Sequence, residues 1–140
     1  MTPDVFLIED NQVLKAIMVS FLERMEGVSL CGSAENAEEA LEQLESLHPD
    51  LVLVDGSLPG MSGREFVCEL KQRCPEIRCL FYSGRNEAEI VQGVLDAGAC
   101  GYVVKGGNSK DLLEAISLSV DGKCYISPSV AGWEELVAHV

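Results

Sequence analysis

The chain has 140 residues, 47% of them hydrophobic, and 23 acidic against 10 basic side chains give a formal net charge of −13. That length and apolar content describe one domain able to bury a core, and they exclude a disordered chain. The acidic balance repels phosphate backbones and no Lys/Arg stripe overrides it, so direct nucleic-acid binding is not expected.

No apolar run approaches the roughly 18 residues that cross a bilayer. Met1 to Asp4 lacks the basic region of a secretory signal, so a cytoplasmic location without membrane contact is expected. The cysteines, Cys31, Cys68, Cys74, Cys79, Cys100 and Cys124, form no C-x-x-C pair, and His48 and His139 lie far apart. A zinc site is therefore unsupported, and reduced thiols packed as small hydrophobes are expected.

In chain order, Asp4 to Ile8 is a short apolar run that reads as a buried strand and ends on Glu9-Asp10. Asn11 caps a helix whose apolar face is Val13, Leu14, Ile17, Met18, Phe21, Leu22 and Met25, stopped by Gly27. Val28 to Ala34 is a weaker strand placed near a sheet edge. Asn36 caps a second helix carrying Ala37, Ala40, Leu41, Leu44 and Leu47, closing at His48-Pro49. The acidic run from Glu35 to Glu45 is read as that helix's solvated face.

Leu51-Val52-Leu53-Val54 is continuously apolar and ends on Asp55, then Gly56-Ser57-Leu58-Pro59-Gly60 turns the chain. Such a run reads as a strand buried on both faces. Asp55 then lies at the carboxyl end of a central strand, where open α/β sheets bind ligands. An aspartate there also serves simply to start a loop by bonding backbone N–H groups.

Ser62-Gly63 leads into a helix with Phe66, Val67 and Leu70, ended by Cys74-Pro75. Ile77 to Tyr82 is a fourth strand ending on Ser83-Gly84. Asn86 opens a helix through Ile90, Val91, Val94, Leu95 and Ala97, with Gly98 at its end. Cys100 to Val104 is a fifth strand ending on Lys105, and Gly106-Gly107 forms the loop. Ser109 caps the last long helix, with Leu112, Leu113, Ile116 and Val120, before Gly122. Alternating strands and helices predict a doubly wound α/β domain: a five-stranded parallel sheet, covered on both faces by five helices through right-handed crossovers.

A parallel sheet brings all its strand ends to one edge. Glu9, Asp10, Asp55, Ser83 and Lys105 converge there. Clustered carboxylates repel one another unless protonated or bridged by a cation, and a hard, oxygen-liganded ion such as Mg2+ suits an open site of this kind. With Lys105 and Ser83 beside it, one carboxylate is set to accept a phosphoryl group. Blander roles exist for each: helix capping for Glu9 and Asp10, a turn for Ser83, a surface position for Lys105.

The motifs together resemble the CheY-like receiver domain of two-component response regulators, over about Asp4 to Gly122. They are the acidic pair after the first strand, D-x-x-L-P-x-x-x-G at Asp55 to Gly63, S-G at Ser83-Gly84 and G-Y-V-V-K at Gly101 to Lys105. The resemblance implies a flavodoxin-like sheet of order 2-1-3-4-5 and Asp55 as phosphoacceptor. It implies Mg2+ held by Asp10, Asp55 and the backbone carbonyl of Ser57, with Glu9 acting through a water. Ser83 and Lys105 would contact the phosphoryl group, and Tyr102 would change rotamer with it, although an aromatic in a strand also serves for packing.

The expected partners are a sensor histidine kinase or phosphotransfer protein and, on the output side, a protein or homodimer contact. The chain is expected to be a signalling domain and not a metabolic enzyme, taking part only in its own phosphoryl transfer and hydrolysis. Three departures stand out: Glu9 replaces the commoner Asp, Gly56 follows the acceptor where an apolar residue is usual, and Gly106 follows Lys105 where the family has Pro. The apolar-to-Gly change predicts a looser loop. A cis peptide after Lys105 would cost ~3–4 kcal/mol without proline.

Residues 1–122 are thus read as the receiver and 123–140 as a tail or linker. Lys123 to Ser129 resembles the end of receivers of the NarL/FixJ (LuxR-type) group, which lead into a DNA-binding domain. In the tail, Val130, Trp133, Leu136, Val137 and Val140 fall at helical spacing, with Ser127 or Ser129 as cap. A short C-terminal helix packed against the domain is expected. The alternatives are a stand-alone receiver acting through protein contacts and a binding module independent of phosphorylation. A haloacid-dehalogenase-type phosphohydrolase would need a second Asp where Ser57 stands, and a flavodoxin would need a hydroxyl-rich phosphate loop where Glu9-Asp10-Asn11 stands.

Overall fold

The computed structural model describes residues 2–56, 61–106, 109–130 and 132–133. In order the elements are β1 (Asp4–Ile8), α1 (Gln12–Arg24), β2 (Ser29–Ala34), α2 (Ala37–Leu47), β3 (Leu51–Asp55), α3 (Gly63–Arg73), β4 (Arg78–Ser83), α4 (Ala88–Ala97), β5 (Gly101–Val104), α5 (Ser109–Val120) and β6 (Tyr125–Ile126). All pairings are parallel, in the order β2-β1-β3-β4-β5-β6. The expected order of the first five strands is present. The sixth was not anticipated, because two residues beside Pro128 carry no periodicity to read.

Strand side chains alternate between the sheet's two faces. Phe6, Ile8, Val52 and Val54 enter a core closed by α2, α3 and α4, whereas Val5, Leu7, Leu51 and Leu53 enter one closed by α1 and α5. Complete burial of each such side chain is worth about 1.5–3 kcal/mol. The four apolar residues of β3 are all fully buried, so the strand that carries Asp55 is firmly seated in the sheet.

The helix ends follow the sequence in most places. Asn11 Oδ1 accepts from the N–H groups of Val13 and Leu14, Asn36 from Glu39, and Ser62 from Glu65. His48 closes α2 in a left-handed conformation (φ 47°), directly before Pro49, which disfavours continued helix.

Three expectations are corrected. Of the apolar face proposed for α1, Met18 and Leu22 are buried, but Val13 and Ile17 are 69% and 57% exposed, so only part of that face packs on the sheet. α4 begins at Ala88 rather than at Asn86, whose side-chain amide donates instead to the carbonyl of Ser129. The Ser127 hydroxyl, expected to cap a tail helix, instead accepts from the N–H of Val104. In the tail Val130 is buried and the Trp133 indole donates to the carbonyl of Ile126, so this stretch lies against the sheet. Leu136, Val137 and Val140 lie outside the described residues.

Candidate functional site

The carboxyl ends of β1, β3, β4 and β5 form the site. Asp55 closes β3 and is only 4% exposed, and Glu9, one residue past β1, is 2% exposed, while Asp10 is exposed. Ligand oxygens of the three acids all lie within 4.8 Å of one another. Lys105, one residue past β5, donates to Asp55 Oδ1 at 3.1 Å and stands 3.7 Å from Glu9 Oε1. Its ammonium also lies over the Tyr82 ring, 5.4 Å from the centroid. One cation thus faces two buried carboxylates.

That single positive charge does not neutralise the cluster. Burial pushes the Glu9 carboxyl up to about 7, and Asp55 adds to the shift by hydrogen bonding and by charge. The Asn11 N–H, which donates to Glu9 Oε2 at 3.3 Å, and the Lys105 charge oppose it. A group held that far above the ordinary carboxylate range marks a site with room for further positive charge.

The backbone explains why these side chains meet. Register pairs Asp55 with Tyr82 and Ser83 with Val104, so Ser83 lies one step beyond Asp55 on the neighbouring strand. Ser83 is buried, and its hydroxyl accepts from the N–H of Arg85. The N–H of Lys105 donates to the carbonyl of Ser83 at 2.8 Å, locking the two loops together.

Gly56 has a reason other than looseness. A Cβ built there would stand 2.9 Å from the Ser83 Cβ and 3.0 Å from its Oγ, so glycine permits the close approach of the two strand ends. Gly106, at φ 92°, supplies the turn after Lys105, and among the described residues every peptide is trans.

Tyr102 is buried, its ring parallel to Phe81 with centroids 6.4 Å apart, and its hydroxyl donates to the carbonyl of Arg85 at 2.8 Å. Burial raises the phenol's pKa, and the adjacent Ser83 hydroxyl opposes that rise. Tyr102 therefore touches the loop that follows Ser83 as well as packing in the sheet. A cavity of about 540 Å³ opens beside Ser83 and Gly56 between α3 and α4. Ser57 lies outside the described residues.

The structure thus gathers Glu9, Asp10, Asp55, Ser83 and Lys105 at one edge and places Tyr102 beside them. Two contributors had no signal in the sequence. Tyr82 offers its ring to Lys105, and Arg85 offers a backbone carbonyl, which no residue identity announces.

A doubly wound α/β domain with an acidic cluster and a lysine at its carboxyl edge defines a class with a place for a cation at the strand ends. Residues 5–117 match the model of the response regulator receiver domain, and the chain belongs to that family. It is 37% identical over 128 residues to the transcriptional activator protein ExaE of Pseudomonas putida, covering 91% of this chain and 59% of the relative. It is 32% identical over 126 residues to the nitrate/nitrite response regulator NarL of Escherichia coli K12, covering 90% of this chain and 58% of the relative.

Among solved structures, a LuxR-family two-component response regulator from Aurantimonas superposes with a TM-score of 0.89 at 27% identity, covering 99% of this chain and 97% of that one. The chain is therefore a receiver domain of the NarL/LuxR type, and it spans about three fifths of the length of the curated relatives it matches. Such a domain is a signalling module. Among the described residues no helix is long and apolar enough to cross a membrane.

Proposed function

We propose that Asp55 accepts a phosphoryl group from a sensor histidine kinase or phosphotransfer protein. The observation that carries this is the junction of a buried Asp55 with two further carboxylates and Lys105 at 3.1 Å. An oxygen of Asp55 attacks the phosphorus of a phosphohistidine, the P–O bond forms as the P–N bond breaks, and the imidazole nitrogen keeps the electron pair and takes a proton. Attack by water later returns the carboxylate and inorganic phosphate. Lys105 shifts from Asp55 to a phosphoryl oxygen, and the Ser83 hydroxyl donates to another.

Asp10, Asp55 and the backbone carbonyl of Ser57 would hold Mg2+, with Glu9 acting through a water. The donor set fits, because hard carboxylate oxygens in an open, partly solvated site suit that ion. When bound, it supplies the charge that lets an anionic phosphoryl group approach an anionic nucleophile.

The response passes to the surface of α4, β5 and α5 through Ser83, Tyr102 and the Arg85 loop, as a shift between two pre-existing conformations. The exposed Val13 and Ile17 on α1, close to Asn11 and the site, support a protein contact there. Likeness to ExaE and NarL supports a place in a cytoplasmic transcriptional regulator of their type, with a homodimer as one output.

Phosphoramidate or acetyl phosphate with Mg2+, followed by intact mass, tests the reading. A metal-dependent gain of one phosphoryl group in the native protein, absent in Asp55→Asn, is the expected result. A gain that persists in Asp55→Asn removes Asp55 as the acceptor.

A further inference from the structure

β5 ends at Val104, one residue before Lys105, and its outer partner β6 ends earlier, at Ile126. Tyr102 pairs with Ile126 in register, so by ladder geometry the N–H of Val104 has passed the last residue of β6. Ser127 closes that gap from both sides. Its own N–H donates to the carbonyl of Tyr102 at 3.0 Å, and its hydroxyl accepts from the N–H of Val104 at 2.9 Å.

The segment from Tyr102 to Val104 is thereby held at both ends by one residue of the tail. This segment carries Tyr102, whose hydroxyl donates to the Arg85 carbonyl, and runs directly into Lys105, which donates to Asp55. Ser127 is only 6% exposed, so water does not readily substitute for its hydroxyl. Its other polar neighbour is the phenol of Tyr125, on the same side of the strand. The tail keeps this position through the buried Val130, the indole of Trp133 on Ile126, the bond from Asn86 to Ser129 and the close approach of Gly101 to Tyr125.

We infer that Ser127 is a positioning residue for Lys105: by clamping the end of β5, it sets the reach of the Lys105 ammonium to Asp55. The tail that leaves the domain is then part of the phosphoryl-transfer apparatus and not only a connector. This rests on Asp55 as acceptor and Lys105 as its cation. Loss of the clamp lets the last residue of β5 fray, and small displacements of a charge-stabilising group have large effects on rate.

The test is the rate of phosphoryl gain from phosphoramidate at saturating Mg2+, read by intact mass, with the melting temperature of each variant beside it. Ser127→Ala is expected to slow the native protein by roughly five- to tenfold, the worth of one hydrogen bond. Ser127→Cys, with a weaker acceptor of similar size, should fall between and keeps the test open if the alanine variant folds poorly. Leu44→Ala, in α2, which packs on β1 and β2 away from the tail, should lower the melting temperature while leaving the rate unchanged.

In a Lys105→Ala background, Ser127→Ala should add no further slowing, because residues acting through one group are not additive. Native rates in Ser127→Ala and Ser127→Cys would overturn the inference, as would an equal slowing by Leu44→Ala or an undiminished effect in the Lys105→Ala background. A native protein that gains no phosphoryl group removes the proposed function and this inference together.

Discussion

The two ends of the same strands behave as opposites. At their amino ends β4, β5 and β6 carry thiols: Cys79 within β4, Cys100 just before β5 and Cys124 just before β6. At their carboxyl ends they carry Ser83, Lys105 and Ser127. Both sets contain groups able to act as nucleophiles or ligands. The thiols sit among apolar side chains, and burial pushes Cys79 and Cys100 up and Cys124 up to about 11.

Such thiols stay protonated and inert. Cys100 is in addition committed to the carbonyl of Cys79, to which both its N–H and its thiol donate. At the other edge, carboxylates, a lysine and backbone N–H groups face one another, so the buried Asp55 has a cationic partner that the thiols lack. The two edges differ in which partners share the burial, not in burial itself.

The contrast is sharpest at Lys105. Lys105→Ala is expected to slow phosphoryl gain by about 10²-fold, the scale for removing one charge-stabilising donor, with the fold retained. The phosphoramidate assay read against a thermal melt checks both parts. A small change in rate would mean that the lysine serves the folded state more than the chemistry.

Next comes the pH dependence of Glu9. Its folded-state pKa is raised from 4.5 to about 7, so the folded protein holds this proton more tightly than the unfolded chain. The resulting stabilisation is complete below about pH 4.5 and is lost as pH rises through about 7. Metal-free protein in urea should therefore show a falling midpoint across that window, and Glu9→Gln should flatten it. Added Mg2+, which favours the ionised acids, should oppose the fall. A midpoint rising with pH in the metal-free protein, and unchanged by Glu9→Gln, would remove Glu9 as a buried acid.

The smallest effect on function belongs to the thiol end. Cys79→Ala should cost about 1 kcal/mol through lost packing and leave the phosphoryl-transfer rate unchanged. Chemical denaturation with the same mass assay checks it. A slowed rate would tie the two ends of β4 together and dissolve the contrast.

Much of this was legible beforehand. The buried run Leu51 to Val54, the break after it and the repeated alternation of apolar strands and helices are local patterns, and a parallel sheet then brings Glu9, Asp10, Asp55, Ser83 and Lys105 to one edge by topology alone. What escaped was whatever depended on distant chain segments. The exposed half of α1 has the same spacing as a buried face, because periodicity reports which residues share a side and not whether anything covers it.

Gly56 read as slack and proved to be a point of contact, since its reason lies in Ser83 across the sheet. Ser127 read as a helix cap and instead completes β5, because a two-residue strand leaves no pattern and its bonds run to backbone atoms. The sequence by itself determined the fold class and the acidic edge, both encoded in local order and chain direction. Only the tertiary structure decided how Lys105 divides itself between Asp55 and Glu9, and that the tail returns past α5 to hold β5. Those depend on atoms brought together from remote parts of the chain, and their distances are set by packing.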